Sequence, residues 1–230
     1  MNQRRTTAIV LTRVNYGEAD RIITVLTPDS GKLSLIAKGV RKVRSKLAGG
    51  IELFSTSEIT YIPGRGNIST LVSARLSRHY GHIVENIDRT MLGYELIKLL
   101  HKVTEDEPET AYFGLLEQAF LALDDQNVPV NLIRIWFSAQ LLRLAGHSPN
   151  LQTSTDKTKL ASTQRYDFDY DATAFSLSPS GVFGVNEVKF LRLLFGESKP
   201  NILVRVQGVD AIIILVAPLI QTLRQLHLRV

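Results

Sequence analysis

Apolar and polar residues alternate along the first 80 residues with a period of two, which is typical of β-strands. In residues 32–38, for example, Leu33, Leu35 and Ala37 fall on one face, as in a half-buried strand. Turn-forming sequences rich in Gly, Pro, Asn and Asp separate the segments. The predicted strands cover residues 6–14, 20–27, 32–38, 53–62 and 68–78. Five short strands predict a small barrel, either a Greek-key OB-fold or, alternatively, an SH3-like barrel.

The period changes from two to three and four after about residue 85. Apolar residues recur at helical spacing within residues 92–103, 112–123 and 132–142 and predict three amphipathic helices, with residues 105–108 opening the second and Gly146 ending the third. Residues 147–184 are polar and are predicted to be a loop with one hairpin, formed from residues 165–170 and 174–177. A fourth helix is predicted to run from its cap, Asn186, to Phe195.

The last segment is ambiguous, because residues 212–216 suit a strand whereas residues 219–227 have helical spacing. Pro218 indicates a kink or a boundary between them. Together these patterns predict an α+β protein. An OB-fold barrel at residues 1–80 is followed by a helical domain at 81–150 and 185–230, with an irregular polar insertion at 151–184.

Composition narrows the class of protein. The chain has 230 residues, of which 44% are hydrophobic, so it can bury a substantial core. It has no cysteine, which excludes disulfides, thiolate zinc sites and cysteine catalysis. The longest apolar run, residues 211–220, is too short for a membrane span, and the N-terminus leads into a strand rather than a signal sequence. We therefore expect a soluble, cytoplasmic protein with no membrane partner.

Positive charge is concentrated in the first third of the chain. Residues 1–82 contain 13 Lys and Arg against 5 Asp and Glu, a net charge of +8, whereas residues 83–230 contain 14 against 17, a net charge of −3. A nucleic-acid-binding domain followed by a near-neutral domain accounts for this asymmetry.

Much of that charge lies in residues 38–47, which we call the cationic loop. No acidic residue interrupts it, and such a cluster favours a polyanion such as nucleic acid, although a solvated loop is the alternative. The predicted DNA-binding residues are Lys32, Lys38, Arg41, Lys42, Arg44, Lys46 and Arg65. Tyr16 and Arg65 are also candidates for stacking on bases, and packing within a turn is the alternative role for Tyr16.

Three groups of residues have spacings that occur in metal or catalytic sites. Asp167, Asp169 and Asp171 are spaced as in a calcium loop, but the glycine and glutamate that such a loop needs are replaced by Ala172 and Ser178. A strand with one solvent-exposed face explains their alternation better than a metal site does. A metal-dependent hydrolase that uses these carboxylates is a third hypothesis for the function.

His79 and His82 have a metal-pair spacing without a third ligand nearby, and Ser154 with Lys157 matches a Ser-x-x-Lys nucleophile pattern only formally. No glycine-rich phosphate loop is present. The sequence therefore predicts no catalytic residue, no metal site and no cofactor.

Several motifs resemble the bacterial RecO recombination-mediator family. In the N-terminal part they are YGEADR at residues 16–21, LT at 26–27, GKL at 31–33, AKGVRK at 37–42, SKLAGG at 45–50, LF at 53–54 and GRG at 64–66. The segment LAGHSPNL at residues 144–151 is similar to the one that follows the family's helical bundle. The resemblance is specific through about residue 151.

The resemblance implies an OB-fold joined to a helical domain, and a protein that binds single- and double-stranded DNA and anneals complementary strands. It implies that the protein works with RecR and with the single-stranded DNA-binding protein to load the recombinase. It further implies that the protein acts at the bacterial nucleoid and has no catalytic site. It also implies that the acidic tail of the single-stranded DNA-binding protein docks on the helical domain, where Arg134 and Arg143 are candidate receptors. An RNA-binding OB-fold module is the alternative function.

Many members of the family carry a four-cysteine zinc site after this segment. Here Ser154 and Lys157 stand about where the first cysteine pair would be, so a thiolate zinc site is excluded. We expect hydrophobic or hydrogen-bonded contacts to hold residues 152–184 in its place.

Overall fold

The computed structural model describes residues 2–104 and 110–228. The chain divides into two compact units, with the boundary between Asp125 and Gln126.

The first unit contains a closed five-stranded barrel. Its strands are β1 (Arg4–Tyr16), β2 (Asp20–Thr27), β3 (Gly31–Ala37), β4 (Ser55–Ile62) and β5 (Ile68–His79). Their order around the barrel is β1-β2-β3-β5-β4, and the only parallel pair among them is β3 with β5. The OB-fold prediction is therefore confirmed, and the SH3-like alternative is wrong.

Alternate residues of each strand fill the barrel. Its interior is a cluster of buried side chains that includes Val10, Ile23, Val25, Leu35 and Ile59. Because successive side chains of a strand point to opposite faces, the residues between these positions face outward.

Two helices, α1 (Ile87–Val103) and α2 (Thr110–Asp124), belong to the same unit. The side chain of Asn86 caps α1 by accepting the N–H groups of residues 88 and 89. The guanidinium of buried Arg89 donates to the carbonyl of Leu123 at 2.9 Å and so binds the end of α2. Residues 105–108, predicted to open the second helix, lie outside the described residues.

The loop before β4 packs its Phe54 ring against both helices. The ring lies edge-on to Tyr94 of α1, with centroids 5.2 Å apart, and to Phe120 of α2, with centroids 5.6 Å apart. Gly93 permits this approach, because a Cβ there would lie 2.6 Å from the Phe54 ring.

Within residues 126–228, the second unit contains four helices and a small sheet. The helices are α3 (Val130–Leu144), α4 (Val185–Leu194), α5 (Pro200–Leu203) and α6 (Val209–His227), and the strands are β6 (Asn150–Ser154), β7 (Tyr166–Asp169) and β8 (Ala174–Leu177). The third predicted helix is confirmed, and so is its stop at Gly146, which has φ of +80°. The predicted cap of the fourth helix is wrong by two residues. Gly184 is the cap, and its N–H donates to the Glu187 carboxylate at 2.7 Å.

The ambiguous final segment is a single helix, so the strand alternative for residues 212–216 is wrong. Its buried residues recur at helical spacing from Val209 to Leu223. Pro218 lies inside the helix but on its exposed side, where water can satisfy the backbone carbonyl that loses its partner. By length and composition the helix could cross a membrane, and 39% of its most apolar 18-residue window is buried inside the fold.

The polar insertion is more ordered than predicted. Strands β7 and β8 form the predicted hairpin, and β6 adds to β8 in parallel to make a three-stranded sheet. An aromatic cluster supports the sheet, in which the Phe175 ring contacts Tyr166, Phe168 and Phe183 at centroid distances of 6.1, 5.2 and 5.4 Å. The expected hydrophobic replacement for a zinc site is present here.

Candidate nucleic-acid interface

The cationic loop leaves the barrel at the end of β3 and is anchored at both ends. Val40 is buried in the barrel core, and Leu47 packs against the same cluster. Between these anchors the backbone makes two turns, with the N–H of Lys42 donating to Gly39 at 3.1 Å and that of Ser45 to Lys42 at 2.9 Å. All five predicted cations of the loop are exposed: Lys38, Arg41, Lys42, Arg44 and Lys46.

Three hydrogen bonds tie the cationic loop to the hairpin between β1 and β2. The N–H of Gly39 donates to the Asp20 carboxylate at 2.7 Å, and Arg41 donates through its backbone N–H to Ala19 at 2.9 Å and through Nη1 to Gly17 at 3.3 Å. Gly39 has φ of +64°, a conformation that glycine adopts without strain. Loop and hairpin therefore form one rim of the barrel, which we call the cationic rim.

Tyr16 lies in this hairpin and is 54% exposed. The turn-packing alternative would bury the ring, so its exposure favours a surface role. Arg41 differs from the other loop cations because it also holds the rim together.

The structure separates the other two predicted cations from the cationic rim. Lys32 is the second residue of β3 and Lys38 follows its end, so they stand about 20 Å apart along the strand. The Lys32 side chain is half-buried, and its Nζ donates to the carbonyl of His101 at 3.3 Å. Arg65 is exposed in the β4–β5 hairpin, which lies near the start of β3 because β5 runs parallel to β3 from Ser34 onward.

Sequence reasoning missed an apolar surface on the outside of the barrel. The strand register places Val14, Ile22 and Ile36 side by side on β1, β2 and β3, with Thr70 of β5 next in the row. All point away from the core, and Val14 is 60% exposed. The alternation of β3 indicated that Ile36 faces outward, but the row depends on pairing between strands.

The adjacent row across the same strands is mainly polar, with Thr24, Ser34 and the exposed Ile68. Together the two rows, which we call the outer strip, extend from the cationic rim along β3. Val43, at the tip of the cationic loop, is fully exposed between two cations and was also missed.

The two candidate residues for partner binding lie on the same helix of the second unit but in different surroundings. Arg134 lines a cavity of about 140 Å³ between α3 and α6, together with Arg224, Ile135, Ile220 and other residues. Arg143 does not line it, and its Nε donates instead to the Gln140 side chain at 3.0 Å.

Ser154 and Lys157, at the positions where the resemblance implied a zinc site in other members, do not fit a zinc ion. Ser154 is buried, and its hydroxyl bonds the Asp156 carboxylate and, at 2.7 Å, the Thr158 hydroxyl. The Asp156 carboxylate accepts hydrogen bonds from the Ser154 hydroxyl and from the hydroxyl and the backbone N–H of Thr158, and these bonds, that from Ser154 first, lower the pKa of Asp156. Lys157 projects from the turn with φ of +66°. The expected hydrogen-bonded replacement is thus present, since hydroxyls and a lysine take the place of thiolates.

The remaining candidates for chemistry have structural surroundings. Asp167 and Asp169 lie in β7, as the strand interpretation predicted, and their carboxylates accept the backbone N–H groups of Val182 at 3.2 Å and Ala172 at 2.9 Å. His82 lies 3.5 Å from the Asp124 carboxylate. Across residues 2–104 and 110–228, no group of three or more His, Cys, Asp or Glu side chains could hold a metal ion.

The fold and the cationic rim define a class of protein. Its members consist of a basic OB-fold barrel followed by a helical unit. Comparison with protein families gives the class a name. The family description "Recombination protein O N terminal" matches residues 1–80, and "Recombination protein O C terminal" matches residues 84–185. The chain belongs to the RecO family of DNA repair proteins.

Individual relatives agree with this assignment. A DNA repair protein RecO of Dehalococcoides mccartyi is 30% identical over 213 residues, which cover 86% of this chain and 80% of the relative. Those of Rubrobacter xylanophilus and Rhodopirellula baltica are 33% and 34% identical, each over 64% of this chain. These two matches span 59% and 55% of the relatives' own lengths.

Proposed function

We propose that the protein binds single- and double-stranded DNA at the cationic rim and the outer strip, and that it acts in recombination without catalysing a reaction. It promotes annealing of complementary strands and assists recombinase loading with RecR and the single-stranded DNA-binding protein, at the nucleoid in the bacterial cytoplasm. One observation carries this proposal: a loop with five exposed cations is pinned beside an outward-facing strip of the barrel.

The two parts of this surface suit the two parts of a nucleotide. The cations neutralise phosphates and release counterions, which supplies affinity that depends strongly on salt. The β-branched and hydroxyl side chains of the outer strip offer bases both apolar and polar contacts, in the region where OB-folds bind oligonucleotides. Bases are available for such contact in single strands.

Salt dependence tests the role of the cationic loop. The variant K42A/R44A removes two exposed cations and leaves Arg41, which holds the rim, in place. Binding of a fluorescent single-stranded oligonucleotide should weaken for all sequences alike, and the slope of log K against log salt should flatten by about 1.4. The matched control is K189A/K199A, which removes two exposed cations from the second unit.

An unchanged slope in K42A/R44A would mean that the cationic loop is only a solvated loop. Competition by unlabelled DNA or structured RNA, with strand annealing measured in the same sample, separates DNA binding from the alternative of an RNA-binding module. Preferential displacement by RNA without annealing would favour that alternative.

The cavity between α3 and α6 is the proposed receptor for the acidic tail of the single-stranded DNA-binding protein. Arg134 and Arg224 supply positive charge, and Ile135 and Ile220 supply apolar walls, which suits a short peptide with both acidic and apolar residues.

A fluorescent peptide of that tail tests the cavity on the full chain. R134A should weaken peptide binding by about tenfold, whereas R143A should change it little, because Arg143 lies on the same helix outside the cavity. Equal loss in both variants would argue for diffuse attraction, and no loss in R134A would exclude the cavity.

A further inference from the structure

Strand β5 is much longer than its pairing with β3. That pairing ends at Thr70, whereas the pairing of β5 with β4 continues as far as His79. The remaining part of the strand, residues 71–79, which we call the β5 extension, is about 30 Å long at about 3.3 Å per residue. Because β3 runs parallel to β5 and ends at the cationic rim, the β5 extension runs past the cationic rim.

A β-bulge decides which residues of the β5 extension face outward. Leu71 and Ala74 both pack in the barrel core, and the strand register shifts between them. The bulge inserts one extra residue, so Val72 and Ser73 are both exposed on the outside, with Val72 41% exposed. Arg75 follows Ala74 and is exposed as well. Outward-facing apolar, hydroxyl and cationic side chains therefore follow one another along the strand.

The β5 extension is basic. Residues 59–84 contain no Asp or Glu, and both arginines of the extension, Arg75 and Arg78, are exposed. The guanidinium of Arg78 lies over the ring of Tyr80, with its carbon 5.2 Å from the ring centroid. This cation–π contact limits the freedom of the side chain before any ligand binds.

One acidic side chain stands beside the β5 extension. Glu58 of β4 is paired with Arg75, and its carboxylate accepts a hydrogen bond from Arg5 at 2.6 Å. The three side chains together keep a net charge of +1. The acid therefore reduces the positive charge of the surface without reversing it.

Lys38 joins the β5 extension to the cationic rim. The register between β3 and β5, continued two residues beyond its last pair, brings Lys38 level with Val72. Arg75 and Arg78 follow Val72 at intervals of three residues, or about 10 Å each. The exposed cations therefore continue from the cationic rim along β5 in one direction.

We propose that single-stranded DNA bound at the cationic rim and the outer strip continues along the β5 extension, where Arg75 and Arg78 contact phosphates and Val72 contacts a base. This inference rests on the proposed DNA binding and gives that site a second segment. Affinity should therefore depend on the length of the strand. Cations on an exposed strand also protect it from pairing with other chains, which is the alternative role of the two arginines.

Two lengths of fluorescent oligonucleotide test the second segment. About 6 and about 16 nucleotides lie near the two ends of the range of OB-fold site sizes. R75A/R78A should leave the affinity for the short oligonucleotide unchanged, because the cationic rim holds it, and should weaken binding of the long one by about tenfold. For the long one the slope of log K against log salt should flatten by about 1.4, since each lost contact removes about 0.7. The matched control, K189A/K199A, should change neither.

The variant K42A/R44A, measured with the same two oligonucleotides, keeps this inference apart from the proposed function. It should weaken the binding of both lengths. If it does so while R75A/R78A binds both lengths like the wild-type chain, the arginines only protect the strand, and the second segment is wrong although DNA binds at the cationic rim. Equal weakening of both lengths by R75A/R78A would also overturn the second segment. No loss in either variant would overturn both proposals.

The absence of native cysteine allows proximity to be measured directly. S73C places a thiol-linked photo-crosslinker on the outward side of the β5 extension, and S180C places it at an exposed position of the second unit as the matched control. S73C should crosslink to the long oligonucleotide with a several-fold higher yield than S180C, and only weakly to the short one. Equal yields from the two positions would exclude a DNA path along β5.

Discussion

The Asp20 carboxylate fastens the cationic loop to the barrel, and its removal should loosen the loop while leaving the fold intact. It accepts the N–H of Gly39 at 2.7 Å, at the residue where the backbone turns out of β3. Asp20→Ala removes the acceptor and the charge together. Asp20→Asn keeps an acceptor oxygen and removes only the charge, so the two variants separate the two roles.

The hydrogen bond sets the expected size of the effect. A bond to a charged group contributes about 1.5 to 3 kcal/mol, and partial exposure places this one near the lower value. About 1.4 kcal/mol corresponds to a tenfold change in an equilibrium. Hydrogen exchange of the Gly39 amide should therefore be about tenfold faster in Asp20→Ala. In Asp20→Asn it should be about threefold faster, because neutral bonds are roughly half as strong.

DNA affinity should change in opposite directions in the two variants. Loss of one negative charge beside five cations strengthens binding by about twofold to threefold at low salt. In Asp20→Ala the loop must also become ordered when DNA binds, which lowers the affinity by nearly tenfold. The net effect in this variant is therefore weaker DNA binding. In Asp20→Asn the loop stays in place, and binding should be tighter.

Amide exchange by NMR and oligonucleotide binding at low salt measure the two quantities. If Gly39 exchanges at the same rate in Asp20→Ala as in the wild-type chain, the carboxylate does not hold the loop. Tighter DNA binding by both variants would show that Asp20 acts through its charge alone.

Four further predictions concern stability. Gly50→Ala should cost about 2 kcal/mol, measured by thermal unfolding, because a Cβ there would lie 2.6 Å from the backbone of Ala74, whereas Gly49→Ala meets no atom within 4 Å and serves as control. Gln140→Leu should cost about 2 kcal/mol in urea unfolding followed by the fluorescence of the single tryptophan, since the Gln140 amide donates to two carbonyls at the end of α4, at 2.7 and 2.8 Å. The purified protein should contain no stoichiometric zinc, and a chelator should leave its Tm unchanged; one zinc per chain by elemental analysis would contradict this. Burial raises the pKa of Tyr80, so the stabilising contribution of its neutral hydroxyl is complete below about pH 10 and is lost as the pH rises further. Above that pH, Tyr80→Phe should therefore lose less stability than the wild-type chain.

Local patterns sufficed to predict the barrel because each strand alternates clearly and ends in turn-forming residues. The predicted bounds differ from the observed ones by two residues or fewer, as for β1, predicted at residues 6–14 and observed over Arg4–Tyr16. The cationic loop was also predictable from the sequence, because a run of Lys and Arg residues can be identified without knowing which strands pair.

Features that depend on pairing between distant segments were not predicted. The row of Val14, Ile22 and Ile36 exists only because of the register of three strands. The parallel pairing of β6 with β8 joins segments about 20 residues apart, and no short-range pattern specifies it. The final helix was ambiguous because Ile and Val suit strands by composition, and packing against α3 decides in favour of a helix.

A chain without cysteine responds to oxidation differently from a protein that is held together by a thiolate zinc site. Oxidants release zinc from cysteine clusters by converting thiolates to sulfenic acids and disulfides, whereas the hydroxyls of Ser154 and Thr158 do not react in this way. The chain contains no cysteine and two methionines, so its sulfur chemistry is confined to Met1 and Met91. Met91 is 62% exposed on α1, and a sulfoxide there would make an apolar side chain polar while the turn at Ser154 stays intact.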